Sequence, residues 1–201
     1  MDRIVLSMAA YLLGAVPFGL LVAKSRGVDI RSHGSGNIGA TNVFRVIGKG
    51  WGIFTFTLDA LKGFIPAYFF PMLMASGASA DWGVLYGSCA ILGHSFPVYL
   101  RFKGGKGVAT GAGMLLGIAP ITVAIGFVCW VLCMVLSRIV SLSSIVAAIA
   151  VMVSVWVLDS GMVINTVLTI LALLVIWLHR ANIRRLLSGT ENRFGKRKEA
   201  D

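Results

Sequence analysis

Hydrophobic positions in this chain fall in long blocks, parted by short polar stretches rich in glycine and positive charge. The first block spans Ile4 to Ala23 and closes on Lys24, Ser25 and Arg26. The next two span Trp51 to Met74 and Trp82 to Leu100, with a short loop, 75–81, between them. A longer apolar stretch, Val108 to Leu136, is interrupted at Pro120 and closed by Arg138. Ser141 to Leu158 and Met162 to Leu178 follow, joined by a turn at Asp159, Ser160 and Gly161. A helix crossing the hydrocarbon core needs about 20 apolar residues, and most of these blocks have that length. The pattern predicts an all-α integral membrane protein. The tail, His179 to Asp201, is polar and basic. Within it Ile183, Leu186 and Leu187 share a helical face, which predicts a short helix lying on the membrane surface.

Composition sharpens this reading. Of the 201 residues 57% are hydrophobic and 13% charged, where a soluble domain carries about 25% charged residues. The blocks leave no room for a separate soluble domain, so residues 1–201 are expected to form a single transmembrane domain, with about 180–201 as a cytoplasmic interfacial tail. The first block reads as a retained helix, because no small-x-small cleavage site leads into a soluble chain. Cys89, Cys129 and Cys133 all lie inside apolar blocks and read as buried small hydrophobes, neither disulfides nor metal ligands.

The net charge of +10 orients the chain. Of the 18 lysines and arginines, 16 lie in 24–50, 101–107, at 138 and in the tail; Arg3 and Lys62 are the others. The positive-inside rule puts these segments in the cytoplasm and the N-terminus outside, on the periplasmic face. Lys106 and Arg138 then share a side, so residues 108–137 must cross twice, as two short helices broken near Pro120. The expectation is seven transmembrane helices with a cytoplasmic C-terminus. No zinc or helix-turn-helix pattern accompanies the basic charge, so nucleic acid is not an expected partner.

Candidate chemistry lies in the polar stretches. Arg101 to Gly113 packs Arg101, Lys103, Lys106 and five glycines between apolar blocks. A glycine turn feeding a helix N-terminus suits an anion, and the lysines make a phosphate the best fit. The alternative is a basic loop whose lysines serve as topological anchors. A second glycine-rich basic stretch, His33 to Arg45, favours the phosphate reading. Asp59 and Lys62 interrupt a block at i, i+3, as a buried pair supporting the site or touching a ligand. His94, beside Pro97 in an apolar block, reads as a structural histidine. Arg184 and Arg185 read as contacts to anionic lipid headgroups, and Arg193 to Lys198 as a solvated or lipid-facing charge run.

Much is absent. Neither His33 nor His94 has an Asp five positions on, there is no G-x-S-x-G elbow, and no P-loop is present. No His/Cys/Asp cluster has metal-ligand spacing. Neither a metal nor a cofactor is expected.

The motifs form one ordered set: GSGNIGATNVFR at 34–45, DALKG at 59–63, GHSFP at 93–97, KGGKGVAT at 103–110, SLSSI at 141–145 and HRANIRRLLSGTE at 179–191. Together they closely resemble the bacterial acyl-phosphate:glycerol-3-phosphate acyltransferase family, over nearly the whole chain. The resemblance implies a multi-pass bacterial inner-membrane enzyme with a cytoplasmic active site. It would move a fatty acyl group from acyl phosphate to the sn-1 hydroxyl of glycerol 3-phosphate, giving lysophosphatidic acid and inorganic phosphate, the first step of phospholipid synthesis. The rival from another class is a transporter or flippase of an organic phosphate. The enzyme supplying acyl phosphate is a further partner the resemblance admits, alongside membrane lipids.

Both substrates carry a phosphate, so two anion sites are needed. Arg45, Lys103, Lys106 and His179 supply cationic donors, and the amides of Gly104, Gly105 and Gly107 can cradle one phosphate. Ser35, Asn37, Thr41 and Asn42, around Gly36, offer neutral donors to phosphate and the developing oxyanion. Ser141, Ser143, His179, Asn182 and Glu191 are candidates for the glycerol hydroxyls and the second phosphate. By resemblance the GSGNIGATNVFR and KGGKGVAT motifs bind acyl phosphate, while Arg45, a lysine of KGGKGVAT, Ser141, His179 and Asn182 bind glycerol phosphate. No protein general base is expected.

Overall fold

The computed structural model describes residues 2–74 and 80–194. Residues 75–79, most of the expected outer loop, and the charged end from 195 onward lie outside the described residues. The chain divides into two compact units, Met1–Pro120 and Ile121–Asp201.

In the first unit α1 (Arg3–Ala15) and α2 (Phe18–Ser25) share the first apolar block, which is therefore not one unbroken helix. Proline chemistry explains the break. Pro17 has no N–H, and it drives Val16 into extended backbone (φ −60, ψ 117). A short α3 (Ala40–Val46) precedes α4 (Lys49–Phe69), α5 (Ala80–Ser95) and α6 (Val108–Ile118). The block expected to reach Leu100 loses its helix at Ser95, ahead of Pro97. α6 stops at Ala119 (φ −145, ψ 66), where Pro120 was expected to break the chain.

Small residues bring these helices together, as they do where lipid removes the hydrophobic drive. A side chain at Gly63 would strike the Thr110 carbonyl, and one at Gly113 the Ala60 carbonyl, so α4 and α6 meet backbone to backbone. Leu6, Ala10, Met74 and Tyr86 form an apolar core cluster, with the Tyr86 hydroxyl donating to Met74 Sδ (3.1 Å). Val22, Ala23, Ile30, Ile38 and Val43 form another, beneath the first glycine-rich stretch.

The second unit holds α7 (Pro120–Ser137), α8 (Val140–Val157), α9 (Met162–Leu178) and α10 (Arg180–Leu187). α9 and α10 meet at a 54° bend. α10 is the short tail helix expected from Ile183, Leu186 and Leu187. Phe127, Val135 and Leu136 stand exposed on α7, an apolar surface that suits lipid.

Four helices among the described residues are long and apolar enough to cross a membrane: Arg3–Ser25 counted whole, Lys49–Leu73, Pro120–Ser137 and Val140–Val157. The bent α9 and α10 pair makes a fifth. α5 and α6, with 16 and 11 residues, are shorter. The cysteines are free and half-buried, less enclosed than the sequence suggested.

Candidate active site

The first glycine-rich stretch is a loop tied to its own helix. Asn42, 2% exposed in α3, is the knot. Its Oδ1 accepts from the Ser35 N–H (2.9 Å), and its Nδ2 donates to the carbonyls of Asn37 (2.9 Å), His33 (3.0 Å) and Ile30 (3.2 Å). Asn42, expected as a donor to substrate, is here engaged by its own loop. Asn37 accepts the Gly39 N–H on Oδ1 (2.8 Å), which orients its amide. Ser35 and Gly36 (φ +69) are exposed, Thr41 is half-buried in the first turn of α3, and Arg45 stands exposed in its last turn. Just upstream, Asp29 caps the turn at Ile30–Ser32 and pairs with Arg31 (3.0 Å), whose hydrogen bonds hold the Asp29 carboxyl below its ordinary range.

The second stretch caps α5. A helix ends with carbonyls that lack helical partners. Here Gly105 N–H donates to His94 O (3.0 Å) and Gly104 N–H to Ser95 O (3.1 Å), while Phe102 N–H closes the next turn, Val98–Leu100, on Pro97 O (3.0 Å). The Tyr11 hydroxyl of α1 takes Phe96 O (2.7 Å). The amides of Gly104 and Gly105, expected to cradle a phosphate, are therefore engaged in holding the loop. Their missing side chains serve close approach: a Cβ at Gly104 would meet the His94 carbonyl, and one at Gly105 the His94 imidazole. Gly107 is left-handed (φ +78, ψ 0) and starts α6. The first α6 bond in the ladder runs from Gly111 N–H to Gly107 O (2.7 Å), so the amides of Val108 to Thr110 form the open N-terminal turn. Lys103 is exposed and Lys106 half-buried.

Behind this loop Asp59 and Lys62 pair at 2.8 Å, both almost fully buried, as their spacing predicted. Lys62 Nζ also donates to the Val16 carbonyl (2.9 Å), exposed by the break before Pro17. His94 Nδ1 lies 3.6 Å from Asp59 Oδ1.

The second unit gathers Ser141, Asn182 and Glu191. The Ser141 hydroxyl and the Asn182 amide both donate to Glu191 Oε1 (2.8 and 2.7 Å), and Arg185 Nε donates to Oε2 (2.6 Å). Burial pushes the Glu191 carboxyl up, but these hydrogen bonds outweigh it and hold the group below its ordinary 4.5. Arg185, expected at lipid headgroups, pairs with Glu191 here. Its signal is its position three residues after Asn182, on the same helical face. His179, at the α9–α10 bend, donates from Nδ1 to Val175 O (2.8 Å), since a carbonyl only accepts. Ser143 does not join the group: its buried hydroxyl donates into its own helix, to Ile139 O (2.9 Å).

A family model described as glycerol-3-phosphate acyltransferase matches residues 4–189. The chain belongs to the glycerol-3-phosphate acyltransferase family. A relative of that name from Geobacter metallireducens is 51% identical over 192 residues, covering 96% of this chain and 97% of its own. Those from Geotalea daltonii and Aquifex aeolicus are 49% and 42% identical, each covering 96% of this chain and 98% or more of their own. Among solved structures, the glycerol 3-phosphate form of PlsY, an integral membrane glycerol 3-phosphate acyltransferase, matches with TM-score 0.89 at 42% identity over 96% of both chains. Its lysophosphatidic acid form matches with TM-score 0.87 at 41% identity. The family is enzymatic, so this chain is a membrane acyltransferase, and the transporter reading is not favoured.

Proposed function

We propose that this acyltransferase takes its acyl group from acyl phosphate and delivers it to the sn-1 hydroxyl of glycerol 3-phosphate, releasing lysophosphatidic acid and inorganic phosphate. The observation that carries the reading is the 42%-identical solved relative with a glycerol 3-phosphate form, matched over 96% of both chains.

Acyl phosphate is a mixed anhydride, and phosphate leaves readily once its charge is held. The protein's work is then to place the two substrates and stabilise the oxyanion and the departing phosphate. Ser35, Asn37 and Thr41, on the loop that Asn42 and Gly36 shape, are the neutral donors. Lys103, Lys106, Gly107 and the first turn of α6 hold the acyl-phosphate anion, on a loop formed by Gly104 and Gly105. Arg45, a lysine of the 103–107 loop, Ser141, His179 and Asn182 take glycerol 3-phosphate, with Glu191 orienting Ser141 and Asn182. Ser143 contributes to the helix beneath. A phosphate's second pKa near 6 leaves a basic oxygen at neutral pH, so substrate phosphate accepts the hydroxyl proton and no protein base is required.

The same reading extends to placement. One domain, 1–201, with α5 and α6 as short spans, makes seven crossings, N-terminus outside, active site facing the cytoplasm of the bacterial inner membrane. The one-sided distribution of Lys and Arg supports this. Purified enzyme given both substrates should release one inorganic phosphate per lysophosphatidic acid. Phosphate release that persists without glycerol 3-phosphate, and yields no lipid, would sink the reading in favour of hydrolysis.

A further inference from the structure

The glycine loop at 103–107 rests on His94 twice. Its backbone bonds to the His94 and Ser95 carbonyls, and Gly105 lies so close to the His94 ring that a methyl there would overlap the imidazole. The ring, 6% exposed, is itself backed by Asp59 at 3.6 Å, and Asp59 is fixed by Lys62 at 2.8 Å. Lys62 in turn holds the Val16 carbonyl at the break between α1 and α2. Two residues past that break, Gly19 packs directly against the Ile38 carbonyl of the other glycine-rich loop.

A buried line of polar contacts thus runs from one phosphate-directed loop toward the other, through residues the proposed chemistry does not use. Charges so enclosed at membrane depth are costly, and usually serve a site. We infer that His94, with the Asp59–Lys62 pair behind it, is a positioning residue: its ring sets the height of the 103–107 loop, and the absence of a side chain at Gly105 exists to admit that ring. The inference rests on the proposed role of this loop in holding a substrate phosphate.

The test is a double-mutant cycle on the full-length enzyme in nanodiscs, with KM and kcat measured for both substrates. Gly105→Ala alone should raise KM for acyl phosphate at least tenfold, because the methyl displaces the loop. His94→Ala should raise it by a similar factor, with kcat within about threefold of wild type. The double variant should be no worse than His94→Ala alone, since removing the ring makes room for the methyl. Losses that multiply would overturn the inference, because Gly105 would then be needed for something other than His94. Should His94→Ala not accumulate as folded protein, Asp59→Asn serves as the second arm: it keeps size and removes the charge backing the ring. A fivefold or larger rise in one substrate's KM with near-normal kcat supports positioning; unchanged KM for both with a lower kcat refutes it. A rise confined to glycerol 3-phosphate would support positioning while reassigning which phosphate the loop holds. Wild-type inactivity with acyl phosphate would defeat only the donor reading, and the cycle would be run with the donor that is used.

Discussion

Replacing Asn42 by alanine tests whether the first glycine-rich loop is ordered by its own sequence before substrate arrives. The change removes the acceptor of the Ser35 N–H (2.9 Å) and the donor of two close bonds, to Asn37 O (2.9 Å) and His33 O (3.0 Å). A hydrogen bond contributes about 0.5–1.5 kcal/mol net, and a buried group left without a partner costs more. Three bonds at a site 2% exposed therefore place the loss at about 3 kcal/mol. At about 1.4 kcal/mol per decade that is roughly a 100-fold fall in the ordered loop population. Because the loop carries Ser35, Asn37 and Thr41, kcat/KM should fall at least ~30-fold, although Asn42 itself faces its own loop. Initial rates alone would not separate a holding role from a substrate contact. Hydrogen exchange without substrate does: the Ser35 amide should exchange at least ~10-fold faster in the variant. Lost activity with unchanged exchange would return Asn42 to the substrate, and activity within threefold of wild type would show that the loop needs no knot.

Lys106→Ala and Arg45→Ala should each lower kcat/KM at least ~10-fold in the same assay, since hydrogen bonds to charged groups are worth ~1.5–3 kcal/mol; near-normal rates would make that residue a topological anchor. Glu191 carries a pH signature: its folded pKa is depressed, so its stabilisation is present above the unfolded value near 4.5 and is lost as pH falls through the lower folded value. Melting of wild type and Glu191→Gln should differ most near pH 7 and converge on acidification below about 4.5; a gap that widens in acid would contradict the hydrogen-bond pattern. For topology, single cysteines at Lys103 and Arg138, in a chain without its native cysteines, should label from one face and one at Asp159 from the other. Opposite-face labelling of 103 and 138 would remove the seventh crossing.

The helices were legible wherever punctuation bounded an apolar block. Gly161 and His179 bracket α9, and its observed range, Met162–Leu178, matches the block. The Pro120 break was legible because charge required it. Pro17 sits in the first block just as plainly, yet the apolar run conceals that Val16 must turn extended there. Residue types at the site were legible too, but not which way they face. In an apolar helix Ser143 satisfies its hydroxyl on the carbonyl four residues back, which looks in sequence just like a serine facing a ligand. Asn42 and Arg185 show the reverse: their partners here, a loop and Glu191, lie at positions that local sequence does not announce. The amides of Gly104 and Gly105 fall in the same class, because nothing local announces that α5 ends where it needs them as caps.

The donor decides the account most directly. Wild-type enzyme should be given glycerol 3-phosphate with, in turn, acyl phosphate, acyl-CoA and acyl carrier protein thioester, each with a chelator present. No Asp stands five positions after His33 or His94 to make the sequence-adjacent histidine–carboxylate pair that deprotonates the hydroxyl in thioester-using acyltransferases, and only acyl phosphate brings a leaving group that also supplies the base. Rapid lysophosphatidic acid formation from acyl phosphate, with the two thioesters inert, is the predicted result. Efficient turnover with either thioester, or acyl-phosphate activity that chelation abolishes and a divalent metal restores, would contradict it.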